Sequence, residues 1–481
     1  MTPSLSITDF PDRLSPMVVK ELRQGMRTRL FGGVMLTLHL LLVLLTLMSG
    51  GAQNSDIVGG WFDGIITLVL CIILPLRGFS AVADELKAGT LDMLALTRLS
   101  AGRIIFGKWA SIASQSLLIA LSILPYVVAR FVFGGLDLFG EITMLFYKWL
   151  AGVVFAAVIV ALSTQRQFWL RAILVGLPLL MGSCGMASFI LMSRMAAGAS
   201  SSMISSVFST AGGGGSSLLI VGMAVWLIFF FLSLAATRIA PPSSLLSVVK
   251  RPVHLAVLLL LSLLGWLTGE GTAMAVTSSW MLPLIMMDAL TERVNEVPSV
   301  YAAFYHHGWA GRVALWLLAP GWVTGFVYSI FLVIIVAVQL ALTGSMEETQ
   351  LFVVSASGTW LIAALVQLFS TRKSRDLLLP FIIFWLIVNV LMSMLGALLM
   401  MPFAMKSTTA WFTSLIPQLL PVGYMSARPG DKQALLELGI FTSLAWPLVL
   451  LIAACFAWRR ARPARQEGWR MTHRSEGGPA R

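Results

Sequence analysis

Residues 61–83 read WFDGIITLVLCIILPLRGFSAVA, and residues 84–108 continue DELKAGTLDMLALTRLSAGRIIFGK. The first stretch is one nearly unbroken apolar run. A helix of about 20 such residues crosses a hydrocarbon core of about 30 Å. The second stretch carries four basic and three acidic residues. Another apolar run follows at 109–133, so a polar segment of 25 residues stands between two membrane crossings. A chain that needed only to turn and re-enter the bilayer would use a much shorter loop. This segment therefore reads as a surface that touches something.

The same alternation extends in both directions. The 481 residues are 58% hydrophobic and 11% charged, against about 25% charged in a soluble domain. Continuous runs, rather than residues alternating in and out, point to helices and not a β-barrel. The expected fold is an all-α polytopic membrane protein of about twelve spans: 30–49, 61–83, 109–133, 143–163, 172–192, 218–237, 253–268, 273–290, 321–343, 351–370, 377–401 and 435–458. No small-residue cleavage site follows the first apolar core, so an uncleaved chain is expected. Cys71, Cys184 and Cys455 all fall inside spans, which excludes a disulfide framework.

Charge sets the orientation. With the N-terminus inside and the spans alternating, all but Arg130, Lys148, Arg194, Lys406, Arg428 and Lys432 of the 33 Lys and Arg fall on the inner side, as cytoplasmic loops require. That bias, rather than nucleic-acid binding, accounts for the net charge of +12. Residues 1–29 form an inner N-terminal segment, 30–240 a first six-span half, 241–458 a second, and 459–481 a basic inner tail. Both halves carry a long inner segment after their second span, 84–108 and 291–320. Ala101-Gly102-Arg103 in the first is echoed by Ala310-Gly311-Arg312 in the second. The outer segment 193–217 is Ser/Gly-rich and linker-like. The outer segment 402–434 has the prolines of a small cap.

Two segments carry interaction patterns. From Pro16, a first-turn residue, Val18, Val19, Leu22 and Met26 share one helical face and Lys20, Arg23 and Arg27 another. That is a basic helix suited to lying on membrane lipid at the inner interface. In 84–108, Leu86, Thr90, Met93, Leu94 and Thr97 recur at helical spacing, the form of a short helix that docks in a partner's groove.

Glu85, Gly89-Thr90-Leu91, Leu94, Thr97 and Gly107-Lys108 resemble the signature of type-2 ABC-transporter permeases. The opening Pro16, Lys20, Glu21, Leu22 and Arg23 are similar to that family's interfacial elbow helix, which Arg27 extends. Ser15 and Arg98 depart from its usual Asn and Pro. The resemblance covers residues 15–110. It implies a permease of a bacterial inner membrane, both termini cytoplasmic, in an exporter. Glu85, Gly89, Thr90, Leu91, Leu94, Thr97 and Lys108 would belong to a coupling helix that docks on a cytoplasmic ATPase. ATP and Mg²⁺ would bind that partner and not this chain. Segment 291–320 lacks the Gly-Thr-Leu core. Either the two halves supply one pseudo-dimeric pore, or the second is an accessory domain and a second permease chain joins.

Other chemistry is poorly represented. Gly102 to Lys108 imitates a phosphate loop, but Trp109 stands where a Mg²⁺-binding hydroxyl is needed. His306 and His307 adjoin Glu292 and Glu296, yet neighbouring helical side chains diverge by about 100°. No catalytic or metal site is expected. Asp63, Arg77, Arg130, Lys148 and Asp288 lie near span ends, where they are expected to snorkel. The competing readings are a membrane enzyme acting on a lipid-linked substrate and a non-transporting scaffold.

Overall fold

The computed structural model describes residues 16–49, 55–89, 100–133, 137–165, 214–267, 271–343, 346–369, 377–400, 424 and 430–476. Every regular element among them is helical. They divide into two compact units, Met1–Ala240 and Pro241–Arg481.

The first unit opens with α1 (Pro16–Met26) and α2 (Arg29–Ser49), followed by α3 (Ser55–Leu68). The helix begun by α3 is then remodelled at Pro75. Proline has no N–H for the Cys71 carbonyl, and its ring crowds that carbonyl. The chain opens into a π turn over Val69–Ile73, passes through Leu74–Leu76 and tightens to a 3-10 turn at Arg77–Ser80. It ends in α4 (Ala83–Ala88), closed by Gly89 at φ 68°, whose N–H bonds the Glu85 carbonyl. A left-handed residue there stops the helix at little steric cost only when it is glycine.

Next come α5 (Ala101–Phe133), α6 (Leu138–Leu162) and α7 (Gly214–Ile239). The Asp137 carboxylate caps α6 by accepting from the N–H groups of Phe139 and Gly140, satisfying donors that a helix start leaves free. Leu38, Leu42, Phe62, Ile66, Leu70, Ile119 and Ile123 interlock as the core of α2, α3 and α5. Gly152 on α6 lies against the backbone of the π turn; a Cβ there would overlap the Leu70 carbonyl.

The second unit contains α8 (Leu246–Leu267), α9 (Gly271–Thr291), α10 (Pro298–Tyr305), α11 (Gly308–Leu318), α12 (Trp322–Thr343), α13 (Met346–Phe369), α14 (Leu378–Met400), α15 (Lys432–Arg460) and α16 (Arg462–Glu476). Trp360 Nε1 donates to Ser329 Oγ at 2.8 Å, joining α13 to α12. In each unit the second long helix packs on the fourth: the continuation of α3 beyond Leu68 on α6, α9 on α13. The fourth packs on the last, α6 on α7 and α13 on α15.

Nine helices among the described residues are long and apolar enough to cross a membrane. They correspond to nine of the twelve expected runs. The fifth run, 172–192, lies outside the described residues. The runs at 273–290 and 377–401 lie in α9 and α14, helices of 21 and 23 residues. The seventh span also begins earlier than its apolar run: α8 starts at Leu246 and draws Lys250 and Arg251 into the helix. Gly102 to Lys108 lie in the first turns of α5, so they form no phosphate-cradling loop.

Candidate functional site

The two segments singled out in the first half of the sequence meet. Helix α1 lies along the start of α5. Its basic residues Lys20, Arg23 and Arg27 are exposed, and Glu21 is turned inward. Lys108, only 5% exposed, places Nζ 3.3 Å from Glu21 and 2.7 Å from Glu85. One lysine thus ties three elements together, and its pairing with Glu85 closes the base of segment 84–108. A buried ammonium needs such partners, since desolvating an unpaired charge costs several kcal/mol.

Arg77 makes a second fastening. Its guanidinium donates to Gln115 on α5, and to the Gly25 carbonyl and Thr28 Oγ1 at 2.9 and 3.0 Å. The Gly25 carbonyl belongs to the last turn of α1, where it also accepts from the Thr28 N–H at 3.3 Å and from Thr28 Oγ1 at 2.8 Å. Arg77 is thus a cap donated from another helix, not a residue reaching for water.

Of the residues matched to the coupling and elbow patterns, Glu85 and Lys108 face each other and Gly89 ends α4. Pro16 starts α1. Thr90, Leu91, Leu94 and Thr97 lie outside the described residues. The exposed charges at the start of the segment are Asp84 and Lys87.

The second unit contains a denser charge cluster where the sequence suggested a loop. Lys250 and Arg251 are 2% and 1% exposed. Lys250 Nζ lies 2.7 Å from Asp288 and 2.7 Å from Glu292. Arg251 Nη2 lies 2.6 Å from Glu292 Oε2, and Nη1 donates to the Leu317 carbonyl at 2.7 Å. Glu292 also accepts from Ser247 Oγ at 2.8 Å and from the Gly321 N–H at 3.0 Å. Two cations and two carboxylates balance, and each Glu292 oxygen has two donors. Burial by itself would raise the Glu292 pKa, but Arg251 and Lys250, with the hydrogen bonds from Lys250 and Gly321, hold it down at about 2.

This cluster closes the base of segment 291–320. Glu292 stands at its start, and Gly321 and Trp322 at its end; the Trp322 N–H also donates to the Glu292 carbonyl at 3.0 Å. The sequence carries a signal for the correspondence. Val18-Val19-Lys20-Glu21 and Val248-Val249-Lys250-Arg251 share their first three residues. The fourth position binds the base in both units, with opposite charge: Glu21 meets Lys108, and Arg251 meets Glu292.

Of the expected snorkelling residues, Arg130 and Asp288 are buried instead, while the Asp63 side chain stays 54% exposed. Asp288, 3% exposed, pairs with Lys250. Asp63 pairs with Lys148. Arg130 lies 4.3 Å from the centre of the Phe62 ring, a cation–π contact that is favoured where water is excluded. His306 and His307 are exposed at the turn between α10 and α11. Among the described residues no group of three His, Cys, Asp or Glu side chains could hold a metal.

No protein-family model, curated protein or solved structure matches this chain. Its own features define its class: an all-helical, multi-pass membrane protein. Exposed Leu36, Leu40, Leu44 and Leu47 form the outer stripe of α2, a surface that water would not tolerate at such density.

Proposed function

We propose that the chain is the membrane-spanning permease subunit of an ATP-driven exporter of the type-2 ABC class, using ATP hydrolysed by a separate cytoplasmic subunit. The observation that carries this reading is the convergence of Glu21, Glu85 and Lys108. The two sequence segments that resemble the family are far apart in the chain, yet they share one buried ion-pair centre. A partner pressing on segment 84–108 would load Glu85 and Lys108 directly, and through them α1 and the helices on either side of the segment. A rigid base under a docking segment is what force transmission requires, because a loosely tethered loop would absorb the displacement. The repeated helix pairings and the second closed base, at Glu292, support two related halves in one chain.

The test is purification from the native membrane in mild detergent, with detection of any co-purifying ATPase. Asp84→Arg and Lys87→Glu alter exposed charges without touching the Lys108 centre. Loss of an associated ATPase in these variants, at unchanged unfolding temperature, supports docking through this segment. The reading fails if no ATPase accompanies the wild-type chain and ATP leaves it unaffected.

A further inference from the structure

Helix α16 begins two residues after α15 ends. Gly468 and Thr472 on one face of it are buried, as is the preceding Ala461, and the helix lies along α10. Arg462, Arg465, Gln466, Trp469 and Arg470 recur at the spacing of an adjoining face. Together with Tyr305 of α10 they line a cavity of about 420 Å³. The buried centres at Lys108 and Lys250 have carboxylate partners; among the described residues Arg462, Arg465 and Arg470 have none within ion-pair distance. Arg465 is fixed by packing over the Trp458 ring at 3.8 Å and by a 2.9 Å bond to the Trp458 carbonyl. Its Nε is buried with no hydrogen-bond partner.

The setting is also defined. The α16 part of the cavity lining starts at Arg462, two residues past the end of the candidate span Lys432–Arg460. Trp316 packs against Trp458, ring centroids 4.6 Å apart and planes tilted by 32°. Trp469, in the lining itself, is half-exposed. Tryptophans collect at the headgroup level of a bilayer. Three arginines converging on one cavity offer the forked donors that match phosphate oxygens.

We propose that this cavity is a phosphate-binding site, filled by the headgroup of an anionic lipid or by a free phosphate compound. The site is independent of the transport reading.

The test uses the full chain in neutral detergent. Dihexanoyl phosphatidylglycerol, dihexanoyl phosphatidylcholine and inorganic phosphate are titrated separately by calorimetry. Arg462→Gln/Arg470→Gln changes two exposed residues of the cavity, and Arg459→Gln/Arg460→Gln removes the same charge beside it. Phosphatidylglycerol binding that weakens about tenfold or more only in the cavity variant supports a lipid site. Inorganic phosphate binding as tightly, with the same variant pattern, supports a free-phosphate site. The proposal is overturned if neither anion binds, or if the two double variants weaken binding equally, which would mark a diffuse basic surface.

Discussion

Replacing Lys250 with Met tests whether the charge cluster of the second unit is as buried and mutually dependent as its geometry implies. The substitution keeps most of the side-chain volume and removes the ammonium. Glu292 keeps Arg251, Ser247 and the Gly321 N–H. Asp288, with a side chain 4% exposed, loses the cation 2.7 Å away. Leaving one member of a buried pair uncompensated costs about 3–5 kcal/mol, whereas a solvated pair contributes about 0–1 kcal/mol. The double variant Lys250→Met/Asp288→Leu removes one charge of each sign and leaves the Arg251–Glu292 pair neutral. It is expected to lie within about 1 kcal/mol of wild type, since apolar replacement of a buried pair is often neutral. The four proteins of the cycle are compared by reversible unfolding in mixtures of SDS and mild detergent. A coupling of about 3 kcal/mol between the two positions is expected. A coupling below about 1 kcal/mol would refute the reasoning, because it would place Lys250 and Asp288 in water or apart.

Glu292 sets an acid limit on the same unit. Its pKa is lowered from 4.5 to about 2, so its stabilisation is fully present above pH 4.5 and is lost as pH falls towards 2, by about 3 kcal/mol in all; Glu292→Gln should flatten the stability profile over that window, and an unchanged profile would remove Glu292 as its source. Gly152→Ala places a methyl against the Leu70 carbonyl and is expected to cost about 1–3 kcal/mol by overpacking, seen as a lower melting temperature; wild-type stability would mean that α6 does not approach the π turn so closely. Lys108→Met removes the shared partner of Glu21 and Glu85, and amide exchange over 16–26 should accelerate about tenfold, the mark of a locally loosened element. Unchanged exchange there would show that Lys108 does not hold α1.

Much of the architecture is legible because it depends on short-range properties. The run at 30–49 becomes α2 at Arg29–Ser49, and the run at 273–290 becomes α9 at Gly271–Thr291. Pro16 opens α1 where its fixed φ suits a first turn. The charges are less legible. Arg77 and Asp288 read as snorkelling because they lie near span ends, and Lys250 and Arg251 read as inner-loop positives. A one-dimensional pattern records their depth but not the side chain they face. Glu85 and Lys108 drew notice as parts of a docking signature; in the folded chain their side chains turn on each other, which leaves Asp84 and Lys87 as the exposed charges at the start of that segment.

The sequence by itself determined that this protein is helical, that it belongs in a bilayer and where most of its helices run. Apolar run length and proline position act within a few turns of helix, and no distant contact is needed to read them. Only the tertiary structure decided which charges meet. Glu21 and Lys108 are 87 residues apart in the chain, and Arg251 and Glu292 are 41 apart. A buried ion requires a counterion from whatever element packs against it, and the helix packing alone supplies that element. The polar stretch at 84–108 reads as an interaction surface in its sequence, and its fold gives it a closed, charge-locked base.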